Sequence, residues 1–182
     1  KTDAYGHGAV PVARTIDRFV CGYAVATVDE GLKLRRHGIE KEILSLGPVS
    51  AGRYQECLEN DISLPMFEYQ RAKELSDAAV AEGKTAKIHI AVDTGMSRIG
   101  LFPDEGSVET VKEIAELPAL RIAGMFTHFA RADEADKTKA GEQYRRFHAF
   151  CDAGKAAGVE VPVCHCSNSA GIAEIREANM DM

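Results

Sequence analysis

Ile88-His89-Ile90-Ala91-Val92, followed at once by Asp93-Thr94-Gly95-Met96-Ser97-Arg98-Ile99-Gly100, is the stretch that decides the fold. The first part belongs to a short apolar strand, Lys87 to Val92. The second is a polar turn in which two glycines shape the chain and present one arginine. Polar chemistry therefore stands just beyond the carboxyl end of a strand. The arrangement recurs. Thr127-His128-Phe129-Ala130 closes the strand Arg121 to Phe126, and Asn168-Ser169 follows the strand Val161 to Cys166. Lys1 is expected to stand in the same relation to a strand missing before it. Barrel enzymes of the (β/α)8 type build their sites on that rim.

The intervening segments alternate helix and strand. A helix is expected over Ala9 to Phe19 and a strand over Val20 to Ala26. Thr27-Val28-Asp29-Glu30 reads as a capping box, and Gly38 suits the far end of its helix. Ile43 to Leu46 is the next strand, closed by Gly47-Pro48, and Tyr54, Cys57 and Leu58 share one helix face. Ser63 to Phe67 is a strand whose pairing is limited by Pro65. A helix covers Arg71 to Ala81. Ser107 is expected to cap another, with Val108, Val111 and Ala115 inward, and Tyr144, Phe147 and Cys151 mark a third ending near Gly158. A short helix starts near Asn168.

Such alternation implies a parallel sheet, either doubly wound or closed as a barrel. No G-x-G-x-x-G follows a strand, since Gly6-His7-Gly8 lacks the third glycine, and no Walker lysine loop is present. The rim of polar clusters favours the barrel. The expected fold is thus α/β, a (β/α)8 TIM-type barrel that is incomplete, with six strands plus the end of the first. A whole barrel has eight strands and about 250 residues. Residues 1–182 are expected to form one partial barrel domain with both ends removed, and its open strand edges favour aggregation.

The 182 residues suffice for one domain with a real core, and the composition is that of a globular protein. A net charge of -6 speaks against nucleic acid as a partner. No apolar run approaches the roughly 18 residues of a membrane helix, so a cytoplasmic protein is expected. Cys21, Cys57, Cys151, Cys164 and Cys166 are odd in number and irregular in spacing, which suits reduced, mostly buried thiols.

Each rim residue has a chemical and an ordinary reading. Lysine forms Schiff bases with carbonyl cofactors, and a Gly-rich turn such as Gly6-His7-Gly8 lets a hydroxyl approach a phosphate; lysines are also common solvated cations. Arg98 suits a phenolate or carboxylate, or is a surface arginine after a tight turn. His128 can stack on a ring, move a proton or sit satisfied and half-buried; a metal is disfavoured because no second ligand lies at metal spacing. Asn168 and Ser169 open a helix, where they form an anion site or an N-cap. Cys164 and Cys166 share one strand face with His165 on the other; core thiols are the ordinary reading and zinc the lesser one.

The strings KTDAYGHG (1–8), AVDTGMSRIG (91–100), MFTHFARAD (125–133) and CHCSNSAG (164–171), in this order, resemble the alanine racemase family. The resemblance runs over essentially the whole chain, and Asn179-Met180-Asp181-Met182 is similar to the family's lead-in to its last barrel strand. Those enzymes carry pyridoxal 5'-phosphate on a barrel followed by a β-rich domain. By this resemblance Lys1 holds the cofactor as a Schiff base and serves as acid or base on one face of the substrate's α-carbon. Tyr5 meets the phosphate, with Ser169 a further phosphate ligand and Asn168 beside it. Arg98 faces the cofactor's phenolic oxygen, His128 stacks on its ring, and His165 supports an arginine on the pyridine nitrogen.

Three departures follow from the same likeness. The family's V-R-x-G segment, which carries that arginine, is not in the chain, nor is the β domain whose tyrosine works the opposite face across a head-to-tail dimer. Ala91 stands where many members have a carbamylated lysine that positions the arginine matched by Arg98. The implied function is interconversion of L- and D-alanine for peptidoglycan precursors by a homodimeric parent, with the present piece inactive alone. Serine racemases of the family, some membrane-tethered, share the motifs. A non-catalytic barrel that carries pyridoxal phosphate is the rival from another class.

Overall fold

The computed structural model describes residues 2–181. Its six described strands are β1 (Gly22–Val25), β2 (Glu42–Ser45), β3 (Ile62–Met66), β4 (Ala86–Ala91), β5 (Leu120–Phe126) and β6 (Cys164–His165). They hydrogen-bond in chain order, and every pair is parallel. Sequential parallel order with a helical crossover each time is the winding of a barrel, not of a doubly wound sheet, whose strand order reverses. The expected incomplete α/β barrel is what the chain forms.

The helical segments are α1 (Thr2–Tyr5), a single left-handed turn, and the helices α2 (Ala9–Ile16), α3 (Val28–Arg36), α4 (Tyr54–Glu59), α5 (Tyr69–Ala81), α6 (Glu105–Ala115), α7 (Thr138–Ala156) and α8 (Ser169–Glu174). Thr27 caps α3 by accepting from the Glu30 N–H at 3.4 Å, while Glu30 Oε2 takes the Ala26 N–H at 2.8 Å. The reciprocal bond reaches one residue further back than in an ideal capping box. Gly38, at φ +81°, ends that helix as expected. The cap of α6 is Asp104, not Ser107, because the Asp104 carboxylate accepts from the Ser107 N–H at 2.8 Å. Ser107, Val111 and Ile114 are the buried face of α6; Ala115 is exposed, since it follows Ile114 by one residue and so turns off that face.

Pro65 is accommodated in β3 by a division of labour. The ladder to β2 covers Ile62 and Ser63 only, whereas Leu64, Pro65 and Met66 register with β4. The strand expected over Val161 to Cys166 is shortened to Cys164–His165. Pro162 has no N–H to donate, but the carbonyl of Val163 already accepts from the Met125 N–H at 2.8 Å.

Alternation along the strands separates two faces. Ile62, Leu64, Met66, Ile88, Ile90 and Met125 pack in one core with the helix residues Leu75, Val111, Ile114 and Phe147, and Ile43 packs in a second with Val10, Ala13 and Leu34. Burying such side chains at about 1.5–3 kcal/mol each is the main term that holds helix ring to sheet. The inner face carries Glu42, Ser63, His89 and His165 instead, so the inside of this barrel is polar at its middle. Arg35 closes the amino ends of β2 and β3, donating to the carbonyls of Ile39, Lys41, Asn60 and Asp61.

Candidate active site

The stretch after Lys1 folds as a left-handed turn. Asp3, Ala4 and Tyr5 have φ of 53°, 55° and 57°. A left-handed conformation costs roughly 1–2 kcal/mol per non-glycine residue. Asp3 offsets part of it: its carboxylate accepts from the Ala9 N–H at 2.9 Å and from Lys33 Nζ at 2.8 Å, and its carbonyl accepts from the Gly8 N–H. The strained turn leaves Tyr5 71% exposed at the mouth of a cavity of about 580 Å³. Strain held in place by such bonds is common where a side chain must be presented. Lys1 lies outside the described residues.

That cavity runs along the sheet from Cys21 and Glu42, at the amino ends of β1 and β2, to Leu46, His128 and Ser169, beyond the carboxyl ends of β2, β5 and β6. Tyr5, Tyr23, Glu42, His89, His128, His165, Asn168, Ser169 and Asp181 are among its lining residues. Its size lies within the roughly 300–1,000 Å³ of ligand sites. Tyr5 and Ser169 bring hydroxyl groups, and His128 and His165 bring flat rings. This donor set suits a planar ligand that carries an anionic group. Asn168 is engaged within the fold: its Oδ1 accepts from the Gly171 N–H at 3.0 Å, capping α8, and its Nδ2 donates to the Phe129 carbonyl at 3.3 Å. Its ordinary N-cap reading holds, and its side chain anchors the segment that offers Ser169.

The Asp93–Gly100 turn is built tightly. Asp93 Oδ1 accepts from the N–H groups of Gly95 and Ser97, both at 2.9 Å. Gly100 sits at φ +123°, and a Cβ there would lie 2.5 Å from the Asp93 nitrogen, so glycine is obligatory. Arg98 is exposed and is not among the residues lining the cavity. Ala91 is 1% exposed, a small side chain sealed into the wall. The sequence-expected residues thus divide. Tyr5, His128, His165, Asn168 and Ser169 meet around one cavity, and Arg98 stands outside its lining.

Two features of the site were not read from the sequence. The first is a polar line across the barrel interior. Ser63 Oγ donates to Glu42 Oε1 at 2.8 Å, His89 Nε2 lies 3.2 Å from the same oxygen, and His89 Nδ1 lies 3.1 Å from His165 Nε2. His165 stacks on Phe126 with ring centroids 5.3 Å apart and planes 12° apart. The bond from His89 holds the Glu42 carboxyl down to about 2 despite burial. Burial is the main cause that pushes His165 down to about 4. The signal was there in His89, a polar residue inside the apolar run Ile88 to Val92. The second is Gln143, whose position three residues after Ala140 and four before Phe147 places it on the buried stripe of α7. Among the described residues no group of three or more His, Cys, Asp or Glu is placed to hold a metal ion.

A parallel barrel sheet with a ligand-sized cavity ringed by hydroxyl and imidazole groups at the strand carboxyl ends is the architecture of a barrel enzyme that works on a small ligand. The chain belongs to the alanine racemase family: residues 1–182 match the alanine racemase N-terminal domain. It is 46% identical over 178 residues to an alanine racemase of Clostridium novyi, covering 97% of this chain and 46% of that one. The alanine racemase of Clostridium difficile 630 in complex with cycloserine superposes with a TM-score of 0.96 at 36% identity, over 99% of this chain and 50% of that one. That of Bacillus anthracis with bound L-Ala-P gives 0.87 at 34% identity, over 98% and 46% of the two chains. The chain spans about half the length of the curated relatives it matches.

Proposed function

We propose that this chain is the cofactor-bearing barrel of a pyridoxal 5'-phosphate-dependent alanine racemase, and that the whole protein interconverts L- and D-alanine for peptidoglycan precursors. The observation that carries the reading is the convergence of Tyr5, His128, His165 and Ser169 on one cavity that reaches the strand carboxyl ends. The curated relatives named alanine racemase supply the substrate. Cytoplasmic placement is part of the proposal; among the described residues no helix is long and apolar enough to cross a membrane.

The bound cofactor supplies an electron sink for the pair left on an amino acid's α-carbon when its proton departs. The chain's residues do the rest. The Tyr5 and Ser169 hydroxyls donate to the phosphate, and Asn168 holds the Ser169 segment in place. His128 packs its ring against the flat ligand and excludes water from that side. His165 lies at the inner wall, where it orients the ligand's ring edge through a neighbouring donor. Lys1 holds the cofactor covalently and moves a proton at one face of the α-carbon. Arg98 answers to the phenolic oxygen, which requires the Asp93–Gly100 turn to bring it to the cavity. The carrier for the other face belongs to the remainder of the whole protein, in a head-to-tail homodimer.

The test is racemisation by the whole protein. With pyridoxal phosphate and L-alanine, chiral chromatography is expected to show D-alanine accumulating to equal amounts, faster than the corresponding change in L-serine. Racemisation of serine alone would move the substrate, and racemisation of neither would overturn the activity.

A further inference from the structure

The polar line inside the barrel has a direction. Glu42 Oε1 already accepts from Ser63, and an ionised carboxylate has only lone pairs to offer. His89 Nε2, 3.2 Å away, must therefore carry the proton. Taken as neutral, His89 has one N–H, so its Nδ1 is left with a lone pair. That lone pair faces His165 Nε2 at 3.1 Å, which must then donate. His165 in turn keeps a bare Nδ1.

We propose that His89 is neutral and that Glu42, acting through it, fixes the tautomer of His165 and makes its Nδ1 an obligate hydrogen-bond acceptor. Glu42 and His89 are positioning residues. Whatever bonds to His165 Nδ1 when the site is filled is an N–H or O–H donor, never a second acceptor. The packing holds the line rigid. Gly124 leaves room for the His89 ring, since a Cβ there would stand 2.6 Å from His89 Nδ1. Phe126 stacks on His165 and fixes its plane. The consequence for catalysis rests on the racemase reading, but the tautomer itself does not.

A long-range proton–nitrogen NMR correlation on the 15N-labelled protein, without cofactor at neutral pH, reads each imidazole nitrogen. We expect His89 and His165 both protonated on Nε2 and bare on Nδ1. Glu42→Gln, which keeps a carbonyl acceptor, retains that pattern. Glu42→Leu loses it, and both histidines average between tautomers. A proton on His165 Nδ1 in the unaltered protein, as a doubly donating His89 imidazolium would impose, overturns the proposal, and that result stands even where Glu42→Leu fails to fold. An unchanged His165 in folded Glu42→Leu overturns it equally. Because no cofactor is present, failure here is separable from failure to racemise alanine.

Discussion

The Gln143 side-chain amide donates to Thr94 Oγ1 at 3.2 Å, so α7 is tied directly to the turn that carries Arg98. The same amide nitrogen donates to the His128 carbonyl at 3.1 Å, and Gln143 Oε1 accepts from the Ala130 N–H at 2.9 Å. Thr94 also bonds Thr127 at 2.8 Å. One buried side chain thus joins two segments of the rim. A buried hydrogen bond contributes about 1 kcal/mol, and an orphaned partner costs about 1–3 kcal/mol. Gln143→Leu is expected to lose about 2–4 kcal/mol in urea unfolding and to weaken retention of pyridoxal phosphate. Stability within about 0.5 kcal/mol of the unaltered protein would show that the rim is held by other contacts.

Gly124 is the counterpart for His89. The register between β4 and β5 slips by one residue after Ile88, which sets Gly124 opposite His89. A bulge of this kind re-aims a side chain and leaves one residue unpaired. An added methyl group would meet His89 Nδ1 at 2.6 Å and the Val163 carbonyl at 2.8 Å. Gly124→Ala should cost about 1–3 kcal/mol and shift the His89 and His165 ring resonances together. A stable variant with unmoved resonances would contradict the close fit.

Acid should weaken the fold in two stages. His165 is pushed from 6.5 to about 4, so from pH 6.5 downward the unfolded chain gains a proton there that the folded chain refuses. The stability His165 contributes is complete above pH 6.5 and is lost as pH falls to about 4. Glu42, lowered from 4.5 to about 2, adds a second loss below pH 4.5. Urea midpoints measured from pH 7.5 to 4 should hold down to about pH 6.5 and decline below it, and His165→Asn should flatten the decline between pH 6.5 and 5. An equal slope in that variant would assign the upper stage to another group.

Thiol reactivity should single out Cys21. It is exposed and lines the cavity, whereas Cys57, Cys151, Cys164 and Cys166 are buried. Burial raises the Cys57 thiol to about 11 and the Cys166 thiol to about 12, and the neighbouring Cys164 thiol with burial raises Cys151. Brief alkylation followed by peptide mass spectrometry is expected to modify Cys21 alone, and pyridoxal phosphate should slow that reaction. Rapid labelling of any of the other four would mean the core opens readily.

The outline of the barrel was legible because short apolar runs, clearest in β3 and β4, alternate along the chain with helical patterns. Ile62, Leu64 and Met66 opposite Ile88 and Ile90 is a pattern local sequence can show. The rim was legible because its residues follow strand ends. The interior line was not, since Glu42, Ser63, His89 and His165 come from four strands and meet only when the sheet curls. The left-handed Asp3–Tyr5 turn was hidden as well, because non-glycine residues adopt it only when tertiary bonds such as those of Asp3 compensate. Ser107 was mistaken for a cap because Asp104, three residues earlier, fits the same rule equally well.

The central claim is that the rim is the cradle of a pyridoxal phosphate bound to Lys1. Incubation with pyridoxal phosphate, borohydride reduction and peptide mapping by mass spectrometry tests it most directly. The account predicts one phosphopyridoxyl adduct, on Lys1, reduced in amount by Tyr5→Phe together with Ser169→Ala. An adduct spread over surface lysines with Lys1 unmodified, in folded protein, would contradict it.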